Sequence, residues 1–215
     1  MKFPHLSYRR RADLNSAVRS TLTGAAVLAT AWAALQAFRL LRAKHRRVKT
    51  AAFSHDFEGS GRRILVVGDS TGVGIGSLDS RSTVAGRLAA AFPGTVIVNR
   101  ARDRAQSIDI PAQIEATNGH FDLTLIFAGG NDVVRLSSYE TVLLAAEHTL
   151  DVASARSDHV AVVPPADVGT APLWVWPLDV LFSHRAETVR RALVAPDLAH
   201  PQRAVRPIVV CLGLA

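Results

Sequence analysis

From residue 62 onward, short β-branched runs break four times into loops rich in Gly or Pro, and stretches with helical spacing separate them. The runs are "RRILVVG" (62–68), "TVIVNRA" (95–101), "FDLTLIFAGGND" (121–132) and "DHVAVVPPADVG" (158–169). Between and after them lie "STVAGRLAAAF" (82–92), "SIDIPAQIEAT" (107–117), "SYETVLLAAEHTLDVASA" (138–155) and "SHRAETVRRALVA" (183–195). Runs apolar throughout suit strands buried on both faces. Their alternation with helices predicts a three-layer α/β/α sandwich around a parallel sheet. In such sheets ligands bind at the carboxyl ends of the strands. The loops "GDSTGVG", "GGND" and "PPADVG" should therefore open on one edge.

The charge is unevenly distributed. Residues 1–50 hold eleven Lys/Arg and one acid, Asp13, for a net +10; the remaining residues carry 14 basic and 17 acidic side chains, for −3. The folded part has no basic surplus to hold a phosphate backbone, which argues against nucleic acid as a partner. Within the basic segment, "STLTGAAVLATAWAALQAF" (20–38) runs 19 residues without a charge. As a helix it would be about 28 Å long, close to the thickness of a bilayer core. Residues 1–49 thus read as a basic N-terminal segment with a single-pass membrane anchor at 20–41. A buried or amphipathic soluble helix and a cleaved leader are the alternatives. Five basic residues precede the run and six follow it, so topology is undecided. Residues 50–61, "TAAFSHDFEGSG", read as a linker, and 62–215 as the folded domain. The lone Cys211 cannot form an internal disulfide.

The first glycine loop has two readings. "GDSTGVG" fits the G-x-x-x-G-x-G spacing of short-chain dehydrogenases, with Arg100 and Arg102 available for a 2′-phosphate. That chemistry needs a Tyr-x-x-x-Lys pair. Tyr8 is followed four residues on by Ala12, and Tyr139 by Leu143. The other reading makes Ser70 a nucleophile. "GDST" after the first strand and "GGND" after the third, with "VNRARDRAQSIDIPAQIE" between them, resemble the SGNH/GDSL hydrolases over residues 62–195.

The resemblance implies ester hydrolysis on an SGNH/flavodoxin-like fold. It implies a small-molecule or lipid-like ester substrate and no metal or organic cofactor. Ser70 would attack the ester carbonyl. The oxyanion would be met by the N–H of Ser70, the N–H of position 104 and the side-chain amide of Asn131. Asp69 and Asp132 would brace loops. The plainer readings are a helix N-cap for Ser70 and a turn cap for Asn131. Two departures stand out. Position 104 is Arg where the family has Gly, which costs about 1 kcal/mol or more if the loop needs positive φ there. The Asp-x-x-His dyad matches Asp197 and His200 in "PDLAHP", but no fifth strand precedes it and the apolar run "PIVVCLG" (207–213) follows it. The C-terminal part after about 195 reads as atypical, truncated or altered. His184, near the strand-four loop, is a substitute base. The "PLWVWPLDVLF" stretch (172–182) reads either as an apolar wall near the site or as ordinary packing. A non-catalytic relic or binding module with the same fold is the competing function.

Overall fold

A computed structural model of the 215-residue chain describes residues 5–46, 48, 50–55, 61–199 and 208–209. The described residues fall into two compact units: the N-terminal helix with Pro172–Val175, and the remainder.

Helix α1 (His5–Arg46) is 42 residues long. Within it, Val18–His45 is long and apolar enough to cross a membrane and is almost wholly exposed. One side chain in the apolar run is buried, that of Gln36. Its Nε2 donates to the Leu173 carbonyl and its Oε1 accepts from Val175 N–H, both at 3.0 Å. Arg39 donates to the carbonyls of Pro172 and Trp174.

The second unit is built on β1 (Arg63–Gly68), β2 (Val96–Asn99), β3 (Phe121–Phe127), β4 (Ser157–Val163) and the two-residue β5 (Ile208–Val209). All pairings are parallel, in the order β2-β1-β3-β4-β5. This is the flavodoxin-like order, whose switch point lies between β1 and β3. The register pairs Ile64 with Leu123 and Gly68 with Phe127, so both strands end at the same level.

The pleat sends alternate residues to opposite faces. Ile64, Val66, Phe127 and Val163 pack with Ile97 and Ala85, and Leu88 and Phe53 lie against that cluster. Ala85 and Leu88 belong to α3 (Val84–Ala91). On the other face, Ile126 and Val162 meet Ile110, Ala146, Leu150 and Leu193. These four come from α4 (Ile110–Glu115), α6 (Tyr139–Ser154) and α7 (Leu178–Ala199). The result is the expected α/β/α sandwich. His55 exchanges two backbone hydrogen bonds with Ile97 and so covers the outer edge of β2.

Four elements depart from the sequence reading. Two loops contain short helices, α2 (Ser70–Val73) and α5 (Gly130–Val134), too brief for periodicity to reveal. Helix α7 begins five residues before the expected 183 and continues through Pro196. A proline close to the end of a helix removes a single backbone bond, which packing of Val189, Ala192 and Leu193 can offset. Part of "PIVVCLG" pairs with β4 as the fifth strand, Ala161 with Ile208 and Val162 with Val209.

Candidate active site

The first loop is shaped by the close approach of two strands. Gly68 has φ +126°, and a Cβ there would stand 1.9 Å from the Phe127 carbonyl oxygen. Only glycine lets β1 end against β3 in this way. Its backbone groups are held from the side: Gly68 N–H donates to Gln113 Oε1 at 2.7 Å, and Gln113 Nε2 donates to the Gly68 carbonyl at 3.1 Å. The chain then turns into α2. The N-cap is Asp69, whose Oδ1 accepts from Thr71 N–H at 2.8 Å. Ser70 is therefore the first helical residue and not the cap, and it is half-buried.

The third loop follows the same logic. Gly129 has φ +104°, and a Cβ there would meet Pro165 and Val189 at 2.8 Å. Asn131 is inside α5 and caps nothing; Gly129 is the N-cap. Asn131 Nδ2 instead donates to the Ala105 carbonyl at 3.0 Å. An amide nitrogen carries two hydrogens, so this bond leaves one for another acceptor. Asp132 is buried and takes three donors: Ser107 N–H at 2.9 Å, Ser107 Oγ at 2.8 Å and Ser137 Oγ at 3.0 Å. Asp132 thus ties the third loop to the second, as a brace would.

Arg104 sits in the second loop with φ +63°, in the left-handed region that favours glycine. Its side chain is exposed, with Nε 4.0 Å from the Asp103 carboxylate. The loop starts at Asn99, whose Nδ2 donates to the Gly72 carbonyl and whose Oδ1 accepts from Ala101 N–H. The loops after β1, β2 and β3 are therefore joined at the switch point by side-chain to backbone bonds.

Asp69 is the electrostatically unusual group. Burial pushes its carboxyl above the ordinary range, and the nearby Asp132 carboxyl adds to the effect. Hydrogen bonds from Thr71 and from Gly130 N–H oppose it without cancelling it.

The sequence-expected base is not brought to this loop cluster by any described contact. Asp197 lies in the last turn of α7, ahead of β5, and its side chain lies outside the described residues, as does all of His200. His184 is exposed on α7. It lines an open cavity of about 420 Å³ with Gly169, Thr170, Asp179, Ser183 and Glu187. His120 is paired with Asp158 at 2.7 Å, at the amino ends of β3 and β4, away from Ser70. Among the described residues, no group of three or more His, Cys, Asp or Glu could hold a metal ion.

Sequence reasoning missed Gln113, Asn99, Ser107 and Ser137. Gln113 had a visible signal. It shares a helix face with Ile110 and Ile114, and a polar residue in an apolar stripe implies a buried partner. Ser107 had none, because its partner comes from a distant loop, and Ser137 lies five residues beyond that partner, past the end of a helix too short to read.

No protein-family model matches the chain, and no curated protein matches it either. Solved structures do. A member of the lipolytic protein G-D-S-L family from Veillonella parvula DSM 2008 superposes with a TM-score of 0.51 at 15% identity, over 69% of this chain and 78% of that one. A G-D-S-L family structure from Desulfitobacterium hafniense DCB-2 gives 0.52 at 13% identity, over 70% and 77%. AlinE4, an SGNH-hydrolase family esterase, gives 0.50 at 17%, over 67% and 82%. With strand order, loop positions and these superpositions in agreement, the chain has the fold of the SGNH/GDSL hydrolases.

Proposed function

We propose that this chain is a membrane-tethered serine hydrolase acting on carboxylic esters. The observation that carries the reading is the bonding together of the loops that bear Ser70, Arg104 and Asn131 at the β1/β3 switch point. The solved structures of this fold, described as lipolytic proteins and an esterase, support the hydrolase class.

In this reading Ser70 Oγ attacks the ester carbonyl carbon and loses its proton to a base, His200, oriented by Asp197. The negative charge on the tetrahedral oxygen is met by the N–H groups of Ser70 and Arg104 and by the second Nδ2 hydrogen of Asn131. Collapse expels the alcohol, which takes the proton from the base. Water then releases the acid from the Ser70 acyl-enzyme by the same steps in reverse roles. Residues 20–41 cross the bilayer and tether the domain, which occupies 62–215 after the linker 50–61.

The competing reading is a binding module with an idle serine, favoured by Arg104 in a left-handed position at the oxyanion loop. One experiment separates the two. The detergent-solubilised full chain should label with a fluorophosphonate probe and hydrolyse short p-nitrophenyl esters. Ser70→Ala should abolish both, and His200→Ala should lower turnover by about 10³-fold or more. A wild type that neither labels nor turns over establishes the binding module. Turnover unchanged in His200→Ala removes the dyad assignment alone.

A further inference from the structure

Gln36 is an oddity in its helix. Its neighbours Leu22, Val27, Leu28, Leu35 and Phe38 are exposed, as a lipid-facing span requires, yet Gln36 is buried with both ends of its amide engaged. The amide pairs with the backbone on either side of Trp174, taking the Leu173 carbonyl and the Val175 N–H as a neighbouring β-strand would. Arg39, one turn further on, donates to the carbonyls of Pro172 and Trp174. Trp32 and Arg39 are half-buried on the same face. An irregular backbone in lipid must have its N–H and C=O groups satisfied, and a glutamine in lipid must satisfy its amide. Each meets the need of the other. Gln36 lies five residues before the end of the 20–41 span, hence about 8 Å inside it.

The chain leaving this segment continues apolar. Trp176 is 71% exposed, and Val180 and Leu181 are 48% and 43% exposed. Tryptophan prefers the headgroup level, where its ring is half in hydrocarbon and its N–H in water. The cations Arg39, Arg42 and Lys44 close the same end of the span and match anionic headgroups.

We propose that Pro172–Trp176 is a second membrane element, a tryptophan-bearing loop that lies in the bilayer interface at the C-terminal end of the span. This proposal rests on the reading of residues 20–41 as a transmembrane anchor. It accounts for the exposed tryptophan and the buried glutamine together.

Depth-dependent quenching tests it. The full chain is reconstituted in vesicles of phosphatidylcholine and phosphatidylglycerol carrying bromine either near the headgroup or near the chain end. In W32F/W174F the emission is that of Trp176, and in W174F/W176F that of Trp32. Trp176 emission should fall roughly twofold with shallow bromine and less with deep bromine, as expected for an interfacial ring. If Trp32 is quenched and Trp176 is not, the anchor stands and the loop proposal is overturned. If neither is quenched, both fall. The single variant W32F leaves the loop intact and asks the same of Trp174 and Trp176 together, should the double variants fail to fold.

Discussion

Arg104 illustrates how one residue departs from a local rule. The loop demands a left-handed backbone, and the chain supplies arginine with φ +63° and an exposed side chain. The conformation costs about 1–2 kcal/mol for a residue with a Cβ. Glycine would remove that cost while adding about 0.4–1 kcal/mol of unfolded-chain entropy. Arg104→Gly should therefore raise stability by about 0.5–1 kcal/mol, read from denaturant unfolding. Asp69 makes a prediction about pH. The folded protein holds its proton more tightly than the unfolded chain, whose pKa is near the ordinary 3.8. Its contribution to stability is complete below that value and is lost as pH rises through the folded value. Unfolding measured across this acid range should show a downward slope with rising pH that Asp69→Asn flattens.

At the level of elements, the junction of β1 and β3 decides where the Ser70 loop can go. Gly68→Ala would set a methyl group 1.9 Å from the Phe127 carbonyl oxygen. The strands would have to part, at a cost of at least about 3 kcal/mol once backbone strain is included. The thermal midpoint should fall sharply, and the residual folded protein should label poorly at Ser70. The last elements differ most from the family pattern. Asp197 precedes β5, whereas the family's dyad follows its fifth strand, so any route from this motif to Ser70 must be built differently. Helix α7 also shows why its start was misread. The first turn, Leu178–Leu181, lacks helical periodicity in its apolar residues, and two of its side chains, Val180 and Leu181, remain exposed.

For the whole molecule, the separation of charge from the folded unit sets the expected behaviour. A +10 segment brackets an uncharged run, while residues 51–215 carry −3. The full chain should sediment with membranes and stay there through high-salt and alkaline washes. Screening removes electrostatic attachment and leaves a spanning helix in place. Release by salt alone would indicate attachment by charge without insertion.

The sequence by itself determined the layered α/β architecture. Strand runs of β-branched residues and helices of 3.6-residue spacing are local signals, and each of the four expected strands lies where its apolar run does. It also placed Ser70 and Asn131 in glycine loops at strand ends, because such loops are local signals too. The caps were not legible: Ser70 and Asn131 both have capping chemistry, and only the folded backbone gave the roles to Asp69 and Gly129. Nor were the bonds that join the loops. Gln113 to Gly68, Asp132 to Ser107 and Gln36 to Leu173 span 45, 25 and 137 residues. No periodicity encodes such pairs, since a polar side chain's partner depends on what the fold buries beside it. Tertiary structure decided them because burial leaves each of those polar groups no water to bond instead.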